Sequence, residues 1–376
     1  MIWKIPLSDI DFDDQEIEAA TKVLKSRWLT MGEITQQFEA AFAQYLGSQY
    51  AFAVSSGTAA LHMALRALNI GEGDEVICPA LTFVATSNAI LYTGATPVFA
   101  DITSLDDFNI SCVDIYRKIT PKTKAIIVVH YGGYPCDMDK IMQIAKEYNL
   151  YVVEDAAHAP GAEYKGKKCG TIGNVGCFSF FSNKNMVTGE GGMLTTNSGE
   201  IAEKEKLLRS HGMTSLTLDR HKGHASSYDV VDLGYNYRID EVRSAVGLIQ
   251  LKKLAKNNRK REFIADKYRE RLKDAAGCSI PFQLPLGKPS HHIFPILVNN
   301  KERDSVMGKL KEHGIQTSIH YPPIHLFKLY RDRFSNKEGM LPLTEQVGKK
   351  EMTLPLYPMM TEADIEYVTS KVKESL

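Results

Sequence analysis

One lysine in this chain sits where a reactive amine would be useful. In "CFSFFSNKNMVTGEGGMLTTN", residues 177–197, a short apolar run turns polar, places Lys184 and then reaches Gly189-Glu190-Gly191-Gly192. A lysine held in apolar surroundings or near other cations sheds its proton more easily than a solvated one, and the free amine can add to a carbonyl. Ser179 lies inside the same run, and Thr188 and Glu190 to Gly192 form the loop beyond it. In "SSGTAALH", Ser55, Ser56, Gly57 and Thr58 lead into a helical pattern. The start of a helix offers free N–H groups and a positive dipole end, which suit a phosphate, and Gly57 lets the backbone come close. In "YVVEDAAHAPGA", Asp155 follows a Val-rich strand, where a carboxylate is costly without a positive partner. A protonated pyridine nitrogen is such a partner. His158 lies three residues on and could contact the same ligand. Phe83, in "CPALTFVATSNAI", comes just beyond another strand and offers a face for stacking.

Each group also fits a plain structural part. Ser56 and Thr58 fit a helix cap, Asp155 a turn, His158 a satisfied core histidine, Lys184 a Gly-rich hairpin and Phe83 a core ring. Their order carries more than any one of them. Phosphate cup, aromatic ring, carboxylate and lysine arrive at successive strand ends. Pyridoxal 5'-phosphate (PLP) needs that set: a phosphate to cradle, a ring to stack on, a pyridine nitrogen to keep protonated and an aldehyde to hold.

The elements that position these groups alternate. Residues 14–46 read as helices interrupted near Trp28-Leu29-Thr30-Met31-Gly32, and 57–69 as an amphipathic helix. Apolar runs at 75–78, 96–100, 125–130, 151–153, 176–181 and 192–196 predict strands covered on both faces, with helices between. That alternation predicts an α/β domain with a mostly parallel sheet, whose ligands collect at the carboxyl ends of the strands. After about residue 250 the texture changes to a long charged helix over 248–275, a strand over 292–298, a helix over 302–313 and a Pro-rich turn at 321–325. The expected division is a large domain, 1–250, and a small C-terminal α+β domain, 251–376. A chain of 376 residues is long enough for both.

Bulk properties exclude other classes. Charged residues make up 24% and balance to zero, so no field of one sign favours nucleic acid or a membrane surface. No apolar run reaches the length of a spanning helix, and no signal peptide is evident. Six scattered cysteines without a C-x-x-C pair fit reduced thiols in the cytoplasm and predict neither a disulfide framework nor a metal site.

The motifs, taken together, resemble those of the fold-type-I, PLP-dependent nucleotide-sugar aminotransferases of the DegT/StrS type. "RWLTMGEITQQFE", "SSGTAALHMAL", "GDEVICPALTFVATSNAI", "GATPVFADI", "VEDAAHAPGA", "SFFSNKNMVTGEGGM", "LGYNYRIDEVRSAVGLIQL", "HYPPIH" and "LPLYPMMTEADI" follow in family order over nearly the whole chain. The resemblance implies an aspartate-aminotransferase-like large domain. It also implies roles: Lys184 would bind PLP covalently and later shuttle a proton, Asp155 would hold the pyridine nitrogen protonated, and Phe83 would stack on the ring. Ser56, Gly57, Thr58 and Ser179 would hold the phosphate. Asn236, in "GYNYR", would reach the phosphate of a neighbouring subunit, making the site composite in a homodimer. His158 stands where many relatives carry Gln near the ring hydroxyl. Thr30, His320, Tyr321 and His325 would line the substrate side.

The reaction implied takes the amino group of L-glutamate, cycles PLP through pyridoxamine 5'-phosphate, and delivers the amine to a nucleotide-linked 4-keto- or 3-keto-6-deoxyhexose. The product would serve lipopolysaccharide, O-antigen or other surface polysaccharide, or a glycosylated metabolite. A sugar dehydratase or a cyclitol aminotransferase on the same scaffold is the alternative, and a non-catalytic PLP-binding regulator a third. Some relatives with dehydratase activity carry His in place of the lysine; here residue 184 is Lys, which favours amino transfer.

Overall fold

The structure, a computed structural model, describes residues 3–215 and 227–376. Its centre is a seven-stranded sheet in the order β1-β9-β8-β5-β4-β2-β3. The strands are β1 (Tyr50–Val54), β2 (Glu75–Pro79), β3 (Thr96–Ala100), β4 (Thr123–Val129), β5 (Tyr151–Asp155), β8 (Val175–Ser179) and β9 (Gly192–Thr196). β6 (Glu163–Tyr164) and β7 (Lys167–Lys168) form a separate small hairpin. Neighbours from β3 through β8 pair in parallel; β9 runs antiparallel to both β8 and β1. The mostly parallel sheet read from the alternating runs is therefore present. β1 was not among those runs. Its partner, β9, lies far along the chain, so its own five residues announce it poorly.

The parallel direction has one consequence for function. The carboxyl ends of β1, β2, β5 and β8 all face the same edge of the sheet. The segments that follow them begin with Ser55, Ala80, Ala156 and Phe180. β9 starts at that edge because it runs the other way, so the β8–β9 connection carrying Lys184 never leaves it.

Helix α3 (Gly57–Ala67) starts directly after β1, with Ser56 as its cap: Ser56 Oγ accepts from the Ala59 N–H at 3.1 Å. Its start presses on the sheet edge. A Cβ at Gly57 would come 2.9 Å from Ser179 Cβ, and one at Gly192 would come 2.5 Å from the carbonyl of Ser56. Both positions are glycine because the helix start, β8 and β9 approach that closely.

Helices α1 (Asp14–Ser26) and α2 (Glu33–Leu46) form as the interrupted helical stretch predicts, and α2 lies against β1. They pack against α8 (Glu241–Leu272), the long helix, which begins earlier than its charged portion suggests and runs unbroken across position 250. Its first residue, Glu241, performs the capping that Gly32 cannot supply to α2. The Glu241 carboxylate accepts from the N–H groups of Gly32 (2.8 Å), Ile34 (2.9 Å) and Thr35 (2.8 Å) and from Thr35 Oγ1 (2.7 Å).

Beyond α8 a three-stranded antiparallel sheet, β10 (Cys278–Ser279), β11 (Phe294–Val298) and β12 (Glu351–Leu354), gathers its own apolar cluster with helix Glu362–Ser375. Arg261 of α8, fully buried, donates to the carbonyls of His292 and Leu356 and ties this sheet to the helix. All six cysteines are free thiols. Among the described residues no helix is long and apolar enough to cross a membrane.

Glu241→Ala should lower stability by about 3 kcal/mol, since it strands several buried N–H donors at once. Urea unfolding should show the loss as a lower midpoint, with Glu241→Gln intermediate. An unchanged midpoint in the alanine variant would show that α2 is capped by other means.

Candidate active site

At the shared strand edge lies a chamber of about 510 Å³, a size suited to a small organic ligand. Ser56, Gly57, Thr58, Phe83, Asp155, His158, Ser179, Lys184, His320 and Tyr321 all line it. These residues come from five separate stretches of sequence.

At one end the start of α3 presents the N–H groups of Gly57 and Thr58. As the first helical residues they have no carbonyl one turn back to bond, and Ser56 Oγ has already been used on Ala59. Ser179 stands against Gly57 across this gap. Two free N–H donors, hydroxyls from Ser56, Thr58 and Ser179 and the helix dipole make a cup for a phosphate.

At the floor is Asp155, the last residue of β5, only 6% exposed. Thr86 Oγ1 donates to its Oδ2 at 2.8 Å and the Ala157 N–H to its Oδ1 at 3.2 Å. Burial raises its pKa from the ordinary carboxyl value, against those hydrogen bonds and the attraction of Lys184. A carboxylate in this condition lacks a close cation, and a ring N–H⁺ would supply one. Thr86 was not singled out by the sequence. Its spacing of three from Phe83 puts it on the first turn of α4 (Ala85–Tyr92), but only the fold brings that turn over β5.

Lys184 has no ion-pair partner among the described residues, and its accessible surface lies along the chamber. Burial pulls its pKa down to about 8, with Asp155 pulling the other way. The loop that carries it is fixed on both sides. Its N–H donates to the Phe181 carbonyl at 2.9 Å, and its neighbour Asn185 donates to Asn258 (2.9 Å) and the Ser290 carbonyl (2.8 Å).

One wall is a succession of rings. Phe83, 57% exposed, leans on Tyr321 with centroids 6.1 Å apart; His158 stacks on Tyr321 and, on its other side, meets the tilted ring of His292. His158 Nδ1 accepts from the Gly132 N–H at 3.3 Å, so the ring proton sits on Nε2 and donates to Tyr321 Oη at 3.0 Å. Burial and the nearby Lys184 hold His158 well below the usual histidine range, which keeps it neutral. His292 is held neutral by the same burial, and its Nδ1–H donates to Asn185 Oδ1 at 3.1 Å. His292 was expected only as part of a strand; it stands behind His158, and nothing local marks that contact.

Three expected residues are not brought to this chamber. His325 is buried elsewhere: its Nε2 lies 3.0 Å from Glu345 Oε1 and its ring tilts against Phe99. Its place on the substrate side is therefore corrected, because the turn after Pro323 directs it into the core instead. Thr30 is exposed in the turn between α1 and α2, which the bond from the Glu241 N–H to the Leu29 carbonyl holds in place. Asn236 is exposed and bridges with Ser210, outside the chamber of its own chain. Arg243 is engaged by Asp240 at 2.6 Å.

A seven-stranded, mostly parallel sheet with a lysine, a buried carboxylate and a phosphate cup on its carboxyl edge defines a PLP-dependent aminotransferase of fold type I. Comparison with known proteins agrees over the whole length. Residues 11–373 match the DegT/DnrJ/EryC1/StrS aminotransferase family. The spore coat polysaccharide biosynthesis protein SpsC of Bacillus subtilis is 41% identical over 96% of this chain and 94% of its own. PseC of Helicobacter pylori, an aminotransferase involved in the biosynthesis of pseudoaminic acid, superposes with a TM-score of 0.92 at 32% identity, covering 100% of this chain and 99% of PseC. Spr1654 of Streptococcus pneumoniae, solved in a PLP form, superposes with a TM-score of 0.91 at 29% identity over 99% of this chain and 98% of its own; a pyridoxamine phosphate form also exists. The chain belongs to the DegT/DnrJ/EryC1/StrS aminotransferase family.

Lys184 should be acylated by acetic anhydride in the ligand-free protein with a midpoint near pH 8, whereas ordinary lysines follow a value of about 10.4. Neutral amine is the reactive form, so labelling rises with pH through that midpoint. Asp155→Asn removes the attraction that favours the ammonium and should move the midpoint lower. Peptide mass mapping reads both, and a midpoint above 10 would mean that Lys184 is solvated.

Proposed function

We propose that this protein transfers the amino group of L-glutamate to a nucleotide-linked keto-sugar, a 4-keto- or 3-keto-6-deoxyhexose, and that it acts as a homodimer with a composite site. The observation that carries the reading is Lys184 held near neutrality in a chamber that also contains a buried carboxylate and a helix-start cup. The relatives support the sugar. SpsC is named for polysaccharide biosynthesis and PseC for the biosynthesis of pseudoaminic acid. The use of the product in surface polysaccharide, lipopolysaccharide or O-antigen included, or in a glycosylated metabolite, and a cytoplasmic location, belong to the same proposal.

PLP, when bound, supplies an electron-accepting ring and an aldehyde with which an amine condenses. The chain's residues do the rest. The N–H groups of Gly57 and Thr58, with the hydroxyls of Ser56, Thr58 and Ser179, hold the phosphate. Asp155 accepts from the ring N–H and keeps that proton in place, while Thr86 and the Ala157 N–H fix the carboxylate's direction. Phe83 covers one ring face. His158, through Nε2–H or through Tyr321 Oη, meets the ring hydroxyl side. Lys184 Nζ, as free amine, takes up and returns the proton that leaves the donor's α-carbon. His320 and Tyr321 close the substrate side against water. Asn236, exposed on its own chain, would reach the phosphate of the partner, and Thr30, also exposed, would serve the substrate side.

As isolated the protein should be yellow. Borohydride should fix the cofactor to the peptide containing Asn183-Lys184-Asn185, and glutamate should bleach the colour. Lys184→Ala should retain cofactor through the phosphate contacts but lose fixation. Its turnover should fall by at least about a hundred- to ten-thousand-fold, the usual contribution of a general base. Asp155→Asn should keep cofactor and lose turnover strongly. A screen of nucleotide keto-sugars with glutamate, read by mass, identifies the acceptor. Labelling of another lysine, or normal turnover in the alanine variant, would refute the reading.

Sedimentation should show a dimer at working concentration. Asn236→Ala should weaken cofactor retention without changing the fold of its own chain. A monomer with full cofactor occupancy and full activity would overturn the composite site.

A further inference from the structure

His320, on the chamber wall, is tied to a carboxyl group that never meets solvent. Glu351, the first residue of β12, is wholly buried. Its oxygens accept from the His320 backbone N–H at 2.7 Å and from Thr353 Oγ1 at 2.5 Å. Among the described residues no cation side chain bonds it. Arg303, whose charge acts on it, instead donates to the carbonyls of Gly348 and Glu351 and to the carboxylate of Asp304. Burying a carboxyl with so little compensation is costly. A purely structural anchor for the His320 backbone would be served as well by a neutral amide.

The hydrogen bonds continue to the ring. Thr353 Oγ1 lies 2.8 Å from His320 Nδ1, and a hydroxyl has one proton to give. When Glu351 is ionised, Thr353 donates to it and must accept from His320 Nδ1–H, which leaves Nε2 bare. When Glu351 is protonated, the chain reverses: Glu351 donates to Thr353, Thr353 donates to Nδ1, and Nε2 carries the ring proton. Nε2 has no partner among the described residues, and the ring lines the chamber. The segment is held there by Ser318, paired to Thr353 backbone to backbone, and by Tyr131 Oη donating to the His320 carbonyl.

We propose that Glu351 and Thr353 are positioning residues that decide which nitrogen of His320 is protonated, so that Nε2 can pass a proton between the chamber and the buried carboxyl. The step balances. One proton binds Nε2, the Nδ1 proton moves to Thr353 Oγ1, and the Thr353 proton moves to Glu351 Oε1. No imidazolium forms, in keeping with a His320 pKa that burial and Lys184 lower to about 3. Burial raises the Glu351 carboxyl to about 8, against Thr353, the His320 N–H and Arg303. The other groups facing the chain are Tyr131 and Tyr321, whose protons burial retains, the neutral His158 and His292, and Lys184, which itself titrates near 8. The use of the relay in amino transfer rests on the function proposed above; the relay itself does not.

The test is ¹⁵N NMR of histidine-labelled protein without cofactor, from pH 6 to 10. The pyridine-type and pyrrole-type ¹⁵N signals of His320 should exchange places near pH 8. Thr353→Ser should keep this swap. Thr353→Val and Glu351→Gln should abolish it, although both retain Lys184 and its titration. A swap that survives in those two variants, or is absent from the unaltered protein, overturns the proposal. In the loaded enzyme Glu351→Gln should lower kcat by tenfold or more with KM little changed, and flatten the limb of the pH profile near 8. A profile that superimposes on that of the unaltered enzyme also overturns it. If no keto-sugar is aminated at all, the proposed function fails and the NMR result still decides the relay.

Discussion

An ammonium and a carboxylate share one poorly solvated chamber without touching water freely, and much of the fold exists to make that tolerable. Lys184 loses much of its hold on its proton there, and Asp155 gains some on its own. In bulk water neither shift would occur, because solvation would favour both charges. The parallel sheet makes the arrangement possible by directing four strand ends to one edge, where backbone N–H groups and hydroxyls meet the charges that side chains leave unpaired. The capping of α2 by Glu241 shows the same economy away from the chamber: a buried carboxylate is kept where several N–H donors converge on it.

Burial at the next position along β5 is solved differently. Glu154 points away from Asp155 and is wholly buried, yet it accepts from His130 Nε2 at 2.9 Å and from the N–H groups of Gly170, Ile172 and Gly173 at 2.6–2.7 Å. His130 and the backbone donors hold it below the ordinary carboxyl value despite burial. Adjacent acids on one strand thus have opposite shifts because a strand sends them to opposite faces. One face offers donors enough; the other offers a space.

The sheet and the chamber were legible to different depths. Lys184, Asp155, Ser179 and the Ser56–Thr58 turn could be read because each lies at the end of its strand or in the loop just beyond it, so chain order alone places them on the carboxyl edge. The same rule found Phe83. His325 was expected from the resemblance alone; it shares a motif with His320 and Tyr321 but turns inward to Glu345. Thr86, His292 and Glu351 could not be read, since each matters through a contact between distant segments. β1 was missed for the same reason: its identity depends on β9. Asn236 and Thr30, expected from the resemblance alone, lie exposed outside the chamber.

The pairing of β1 with β9 also governs when the molecule can be completed during synthesis. Ser56, Gly57 and Thr58 leave the ribosome early, directly behind Val54. Val54 pairs with Gly192, so the strand that anchors the turn stays unmatched until the chain has grown past Thr196. Loop closure over such a span is slow compared with forming the helices between. The turn at the start of α3 is thus translated early, while the strand that carries it waits for β9. β9 lies beyond Lys184 in the chain, so β1 meets its partner only once the loop bearing that amine has been made.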